Sequence, residues 1–593
     1  MQVLRLLVLS LSLTAVFFAL GIILASLVVV EAGDVRRLYF RDLAGAALGC
    51  LLAVPLQATI GPPAMVFVSM VALGALGLIV ALATRTGQAQ AGVLAAVVLA
   101  GAFGTASLDV RADGVKTLKE TDTVVAGDWG PVFRVDAVDL GNLQVLHHDG
   151  LWGSSIWRYD GTPATTARFD TDNRKVPFAA LGRDPEHLLI IIGAAGGNEI
   201  QGALTYGVGQ VDAVELNPVT VDLLRNHFAE YSGNIANNPK VNYVQGDGRT
   251  FLARSERAYD MVWFVAPDSY AASNAATSGA FVLSESYLYT DAMIREAFDH
   301  LTPGGVMVAQ FGDFDFDTRP TRTARSLVTA RDALADRIGT FADHVVLLAD
   351  SGEVDLQRVS TIMVFKSPVT ADAVAGVQAA LQTLPTTRPM HLPGVAAEAS
   401  QSANITEQLI TGTDAEVQAL VGSYRFDIST VTDDKPFFSH FTPYSDVLTN
   451  WERGIEDTEI AIGERLLLVL FIIGSIVAGL LRWLPFAITR RRGGEAAAAA
   501  PGRAALFTLL IATAVGARIS HVIERFGRRG LPFTTVLLWA VNGFFSVLGS
   551  SLTTMLSMSF GFDRTVVIGL VRYIVATLAH LRRPVAQPAP AIA

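Results

Sequence analysis

Residues 187–218 run HLLIIIGAAGGNEIQGALTYGVGQVDAVELNP. The apolar run Leu188 to Ile192 reads as a buried parallel strand, and Gly193, Gly196 and Gly197 make the turn after it. A short helical stretch follows, then a second strand, Val211 to Val214, ending on Glu215. This is the βαβ unit of a nucleotide-binding sheet: glycines let the backbone approach a ligand, and the helix start offers it unpaired N–H groups. Glu215 stands 22 residues after Gly193, about where an acid takes ribose hydroxyls in such folds.

Working outward, the stretch 218–231 reads as an amphipathic helix with Pro218 in its first turn. Strands are predicted at 241–247, 259–268 and 304–312, a helix at TDAMIREAFDHL, and a closing pair of strands at 344–350 and 359–367. Strands alternating with helices imply a doubly wound, mostly parallel α/β sheet. Ahead of it, Gly130 to Asp160 alternates in short runs and reads as a small antiparallel β unit. Three acids fall at successive strand ends, Glu215, Asp247 and Asp268. The carboxyl edge of an open parallel sheet is where such folds bind ligands, so the three together favour a site over three solvated loop carboxylates.

The ends of the chain are different in kind. The 593 residues are 51% hydrophobic and 17% charged, with mean hydropathy +0.41. The apolar excess sits in the first ~110 and last ~130 residues, implying membrane helices around a soluble middle. Candidate spans are 3–30, 42–58, 64–84 and 89–108, then 462–484, 503–523, 531–557 and 564–581. The resulting division is 1–110 for the N-terminal helices, 111–160 for a linker and the β unit, and 161–370 for the α/β domain. A C-terminal extension of the soluble part takes 371–460, the second set of helices 461–583, and a disordered tail 584–593. A net charge of −10 without a basic stripe excludes a nucleic-acid binder. The single cysteine, Cys50, allows neither an internal disulfide nor a Cys-based metal site. His147 and His148 are adjacent in a strand and point to opposite faces, so no metal is expected there.

The ordered set GAAGGNE, AVELNP, QGDGR, YDMVWF, SYLYT and LTPGGVMV resembles the spermidine synthase-like branch of the class I methyltransferase fold over about residues 130–370. The stretches RDLAGAALGCLLAVPL, SESYLYTDAM, TDDKPFF and WAVNGFFSVLGS, with the apolar flanks, resemble bacterial membrane-fused members of that group. The resemblance implies S-adenosylmethionine or its decarboxylated form as co-substrate, no metal, and a small-molecule acceptor of the polyamine type. It implies that Gly193, Ala195 and Gly197 approach the amino-acid or aminopropyl part, Glu215 holds the ribose, and Asp247 and Gly248 meet the adenine edge. Asp268 matches the second acid of the family's D-x-x-D pattern and is the implied catalytic residue; Val265 stands at the first. Gly196 stands where classical spermidine synthases place an acid, so the sequence leaves the form of the donor open. Ser269, Tyr270 and the run AASNAATSGAF are expected as a lid, with Glu285 and Tyr287 lining the pocket. Asp433 and Asp434 of TDDKPFF either reach the site or form a turn before Pro436.

Function is thus expected to be transfer of an aminopropyl or methyl group, with two alternatives. One is a methyltransferase without a polyamine role; the other is a transporter or scaffold carrying a non-catalytic nucleotide-binding domain. The positive loops conflict over sidedness: Arg36, Arg37, Arg41 and Arg490 to Arg492 favour one orientation, and Arg525, Arg528, Arg529, Arg582 and Arg583 the other. Because adenosylmethionine is cytosolic, the expectation is a multi-pass inner-membrane protein with its soluble domain in the cytoplasm.

Overall fold

The structure, a computed structural model, describes residues 35–83, most of 95–103, 116–265, 285–449, 463–476 and 549–581, with short gaps at 132, 183, 185, 314–315, 351–357, 398 and 466. The chain divides into two compact units, Met1–Leu51 with Glu464–Ala593, and Leu52–Gly463.

The second unit opens with an antiparallel meander: β1 Val124–Trp129, β2 Arg134–Asp139, β3 Leu143–His148 and β4 Leu151–Trp157. Asp149 (φ 49°) and Gly150 (φ 82°) are both left-handed between β3 and β4, the conformation a two-residue hairpin turn requires. An eight-stranded sheet follows: β5 Leu188–Ile192, β6 Gln210–Glu215, β7 Val241–Gln245, β8 Tyr259–Phe264, β9 Leu301–Asp313, β10 Val345–Asp350, β11 Arg358–Phe365 and β12 Thr387–His391. Its order is β12-β10-β11-β9-β8-β5-β6-β7. The pairings from β7 across to β9 are parallel, and those among β9, β11, β10 and β12 are antiparallel. The chain steps from β5 outward to β6 and β7, then returns to β8 on the other side of β5. The carboxyl end of β5 is therefore the topological switch point, where open α/β sheets hold ligands.

Helices cover both faces. Along β5, Leu189 and Ile191 bury on one face and Ile190 and Ile192 on the other, as expected for a strand enclosed on both sides. The first face takes α2 Lys175–Leu181, α3 Asn198–Thr205 and, further on, Ala371–Leu381, together with the inner side of the β meander. The second takes Gly248–Arg254, Asp291–Asp299 and Thr321–Leu334, with Val431 and Phe438 of the C-terminal extension.

Two expectations need correction. The stretch after Glu215 is not one regular helix. It is a short α4, Pro218–Asp222, capped by Asn217, followed by a π turn at Leu223–His227. The Phe228 N–H reaches back to the Leu223 carbonyl (2.7 Å), five residues away, and the widened turn keeps Leu223 and Leu224 in the core. Strand β12 is not among the predicted strands, because TRPMH has no alternating pattern and contains Pro389.

Helix α1, Val35–Ala83, carries the apolar stretch Phe40–Ile79, and among the described residues it is the one helix long and apolar enough to cross a membrane. It is broken at Gly61 (φ 76°, ψ 154°), before Pro62 and Pro63, so the spans predicted at 42–58 and 64–84 are its two halves. A β-carbon at Gly61 would lie 2.4 Å from the Trp129 ring; the indole seats in the kink. In the other unit, Phe562–Leu581 is helical, as is most of 463–476 and 549–560. The predicted spans 3–30 and 503–523 lie outside the described residues, as do most of 89–108, most of 531–557 and the end of 462–484.

Candidate functional site

At the end of β5 the backbone turns through Gly193 (φ 82°), Ala195 (φ 40°) and Gly197 (φ 80°). The left-handed region costs an alanine roughly 1–2 kcal/mol, so Ala195 needs holding. The Glu215 carboxylate accepts from the Ala195 N–H (2.9 Å) with one oxygen and from the Asn217 N–H (2.7 Å) with the other. The Tyr243 hydroxyl donates to the Ala195 carbonyl (3.0 Å). Glu215 thereby locks the glycine turn to the end of β6. Burial pushes its pKa up, against the pull of those backbone donors. Burial, helped by the charge of Glu215, also holds the Tyr243 phenol well above its ordinary value, so it stays a donor. A carboxylate has about four lone-pair sites; two backbone bonds leave capacity for two ligand hydroxyls.

Two glycines are demanded by close packing. A β-carbon on Gly196 would sit 2.1 Å from the Ser155 carbonyl oxygen, and one on Gly248 2.4 Å from Ile192 Cγ2. The turn rests on β4: Gly196 N donates to Ser154 Oγ (3.3 Å), Asn198 to the Ser155 carbonyl (3.1 Å) and Gln201 to the Trp157 carbonyl (3.0 Å). Arg168 binds the side chains of both Asn198 and Gln201, and burial lowers its pKa to about 10. Asp247 caps Gly248–Arg254 by accepting from Thr250 N (2.8 Å) and Oγ (2.7 Å).

A second group of residues, beside Asp247, is built from distant parts of the chain. Val265 packs partly buried against the core, its N–H on the Ile192 carbonyl (3.0 Å). Asp268, Ser269, Tyr270 and the predicted lid lie outside the described residues. Where the chain is described again, Asp247, Arg249, Glu285, Tyr287 and Asp433 line a cavity of about 480 Å³. Arg249 grips Asp433 with two parallel bonds (2.8 and 2.6 Å), and the Thr290 hydroxyl donates to the same carboxylate (2.6 Å). Hydrogen bonding from Arg249 holds the Asp433 pKa below the usual range. Both readings open for TDDKPFF hold: Asp433 and Asp434 form a turn before Pro436, closed by the Lys435 N–H on the Thr432 carbonyl (2.9 Å), and from that turn Asp433 reaches the cavity. A larger cavity, about 650 Å³, runs along edge strand β7 past Asp212, Asn242, Arg254 and Arg257. It shares Asp247 with the smaller cavity, and neither is lined by the glycine turn or Glu215; the smaller one holds Glu285, Tyr287 and Asp433.

The structure thus brings Gly193, Ala195, Gly197, Glu215, Asp247 and Gly248 to one edge of the sheet. It adds Tyr243 and Arg249, which sequence reasoning missed. A tyrosine inside a buried strand was the available signal for the first, since its hydroxyl needs a partner. Arg249 carried none, because its partner is 184 residues away. His147 and His148 belong to the meander: His148 stacks on Phe133 with ring centroids 4.3 Å apart.

Residues 176–328 match the spermine/spermidine synthase domain family. The chain is 33% identical over 87 residues to a polyamine aminopropyltransferase of Korarchaeum cryptofilum, covering 15% of this chain and 27% of that protein. It is 25% identical over 195 residues to one from Pectobacterium atrosepticum, covering 31% and 63%. The chain therefore spans less than two thirds of the length of these relatives. Among solved structures, it is similar to a probable spermidine synthase from Corynebacterium glutamicum (15% identity, TM-score 0.32, 49% of this chain and 97% of that one). A spermidine synthase in complex with the transition-state analogue AdoDATO is also similar (14% identity, TM-score 0.31, 50% and 87%). The α/β part is spermidine synthase-like.

Proposed function

We propose that the chain is a spermidine synthase-like transferase that moves an aminopropyl group from decarboxylated S-adenosylmethionine to an amine. One observation carries this most directly. Inside the stretch that matches the family, a buried carboxylate closes the glycine turn at the switch point and keeps lone pairs for two hydroxyls. In this reading Glu215 takes the ribose hydroxyls, the turn from Gly193 to Gly197 faces the aminopropyl chain, and Asp247 with the Gly248 backbone meets the adenine.

The sulfonium carries the activation, so the residues here orient an in-line attack. The amine nitrogen bonds to the carbon next to sulfur, the C–S bond breaks, and the thioether leaves with the electron pair. The ammonium proton must go to an acceptor. Asp268 is the acceptor assigned from its position in the sequence, because Val265 is apolar. The apolar stretches flanking the domain are read as membrane anchors, with the domain on the cytoplasmic side, where the donor is made.

The test is calorimetry of the full-length chain in detergent with adenosylmethionine and with its decarboxylated form, followed by product mass after incubation with 1,4-diaminobutane. The expected result is binding of the decarboxylated form and an aminopropyl gain; a methyl gain overturns the choice of donor, and binding of neither overturns the reading. Sidedness is tested with Ser423→Cys, an exposed position, in a Cys50→Ala background. Labelling of intact cells by a membrane-impermeant maleimide contradicts a cytoplasmic domain.

A further inference from the structure

We infer that Asp433, contributed by the C-terminal extension outside the family-matched stretch, is a positioning residue that sets the wall carrying Glu285 and Tyr287, as the acceptor wall, against the Asp247 end of the site; this rests on the function proposed above. The observation is a set of bonds converging on residues 431–436. Asp433 receives two from Arg249 and one from Thr290. The Ser286 N–H donates to the Pro436 carbonyl (2.6 Å) and the Asp291 N–H to the Val431 carbonyl (2.8 Å). Arg249 also donates to the Tyr287 carbonyl (3.2 Å). Residues 285–291, which carry Glu285 and Tyr287 into the cavity, are thus fastened at both ends to 431–436. The same Asp433 reaches, through Arg249, the start of the helix that Asp247 caps.

The extension is itself anchored away from the site. Arg325, fully buried on Thr321–Leu334, donates to the carbonyls of Phe437, Phe438, His440 and Asp427, and pairs with the Asp427 carboxylate. The clamp fixes the segment, and Asp433 transmits that position to the cavity. A bidentate arginine–carboxylate pair has a planar geometry that one hydrogen bond lacks, and small misplacements of reacting groups are costly in rate. Glu215 and the glycine turn take no part in these bonds, and Asp247 keeps its own cap on Thr250, so the donor is affected less than the amine.

The test compares wild type, Asp433→Ala and Asp433→Asn as full-length protein in detergent. It measures donor Kd for decarboxylated adenosylmethionine, KM and kcat for 1,4-diaminobutane, and Tm. Asp433→Ala is expected to lower kcat/KM for the amine on the order of 10- to 100-fold, with donor Kd within about threefold of wild type. Asp433→Asn, which keeps the oxygen facing Thr290, falls between the two. An unchanged kcat/KM overturns the inference, as does a loss that falls equally on donor Kd; if the alanine variant does not fold, the asparagine variant decides by the same split. Failure of wild type to bind either donor form overturns the proposed function and this role with it. Binding by wild type with indifferent variants overturns this role alone.

Discussion

Two parts of the proposed site are made in opposite ways. The part read as the donor wall comes from the 23 residues from Gly193 to Glu215, where backbone conformation and one carboxylate create the shape. The part proposed as the acceptor wall joins Arg249, residues 285–291 and Asp433, and its central ion pair spans 184 residues of sequence. The difference teaches where a relative of known enzymes can diverge. A turn held by main-chain geometry tolerates few side chains, whereas a wall assembled by side-chain bonds between remote segments can be rebuilt by changing either segment.

The largest expected effect is on the donor wall. Glu215→Ala removes both ribose bonds, each worth about 1.5–3 kcal/mol for a charged acceptor, so donor affinity should fall more than about 100-fold. It also strands the Ala195 and Asn217 amides, so Tm should fall in parallel; unchanged affinity by calorimetry would falsify the ribose assignment. Next is Gly196→Asp, which restores the acid of classical spermidine synthases. Because a β-carbon there meets the Ser155 carbonyl at 2.1 Å, the variant should lose about 1–3 kcal/mol of stability by overpacking and should not gain affinity for the decarboxylated donor. A tolerated aspartate, seen as an unchanged denaturant midpoint, would show that the turn does not rest on β4 as described.

The smallest effect concerns the floor beneath the donor wall. Burial lowers the His148 pKa to about 4 from an ordinary value of 6.5. The unfolded chain therefore takes up this proton first, so the contribution of His148 is intact above pH 6.5 and is lost as the pH falls toward about 4. His148→Phe keeps the stacking on Phe133 and should flatten that part of the stability–pH curve, measured by denaturant midpoints. Identical curves would remove His148 from the account.

How much of this was legible in the sequence follows the same division. The strand–turn–strand unit, the edge acids Glu215 and Asp247 and the last three strands of the antiparallel meander were readable, because each depends on periodicity or on residues close in the chain; β1, Val124–Trp129, lies ahead of the predicted β unit. Tyr243 closing over Ala195, the π turn at Leu223–His227 and strand β12 were not, because packing decides them against weak local signals. Asp433 lay between: TDDKPFF was noticeable as a stretch, but only the folded chain shows Arg249 and Thr290 waiting for its carboxylate. The acid missing at Val265 has a local cause as well. That side chain packs into the core on the face shared with α2 and α3, where an unpaired carboxylate would be expensive.

The glycine turn sits on β4, contributed from upstream of the family-matched stretch 176–328, and the Asp433 strap comes from downstream of it. The stretch 176–328 is therefore not closed on itself here. Its floor and its strap are supplied by sequence that the stretch does not contain, so the folded unit is longer than the matched one. A transplant of 176–328 alone into another protein would carry the glycine turn and Glu215 without the β4 floor or the Asp433 strap.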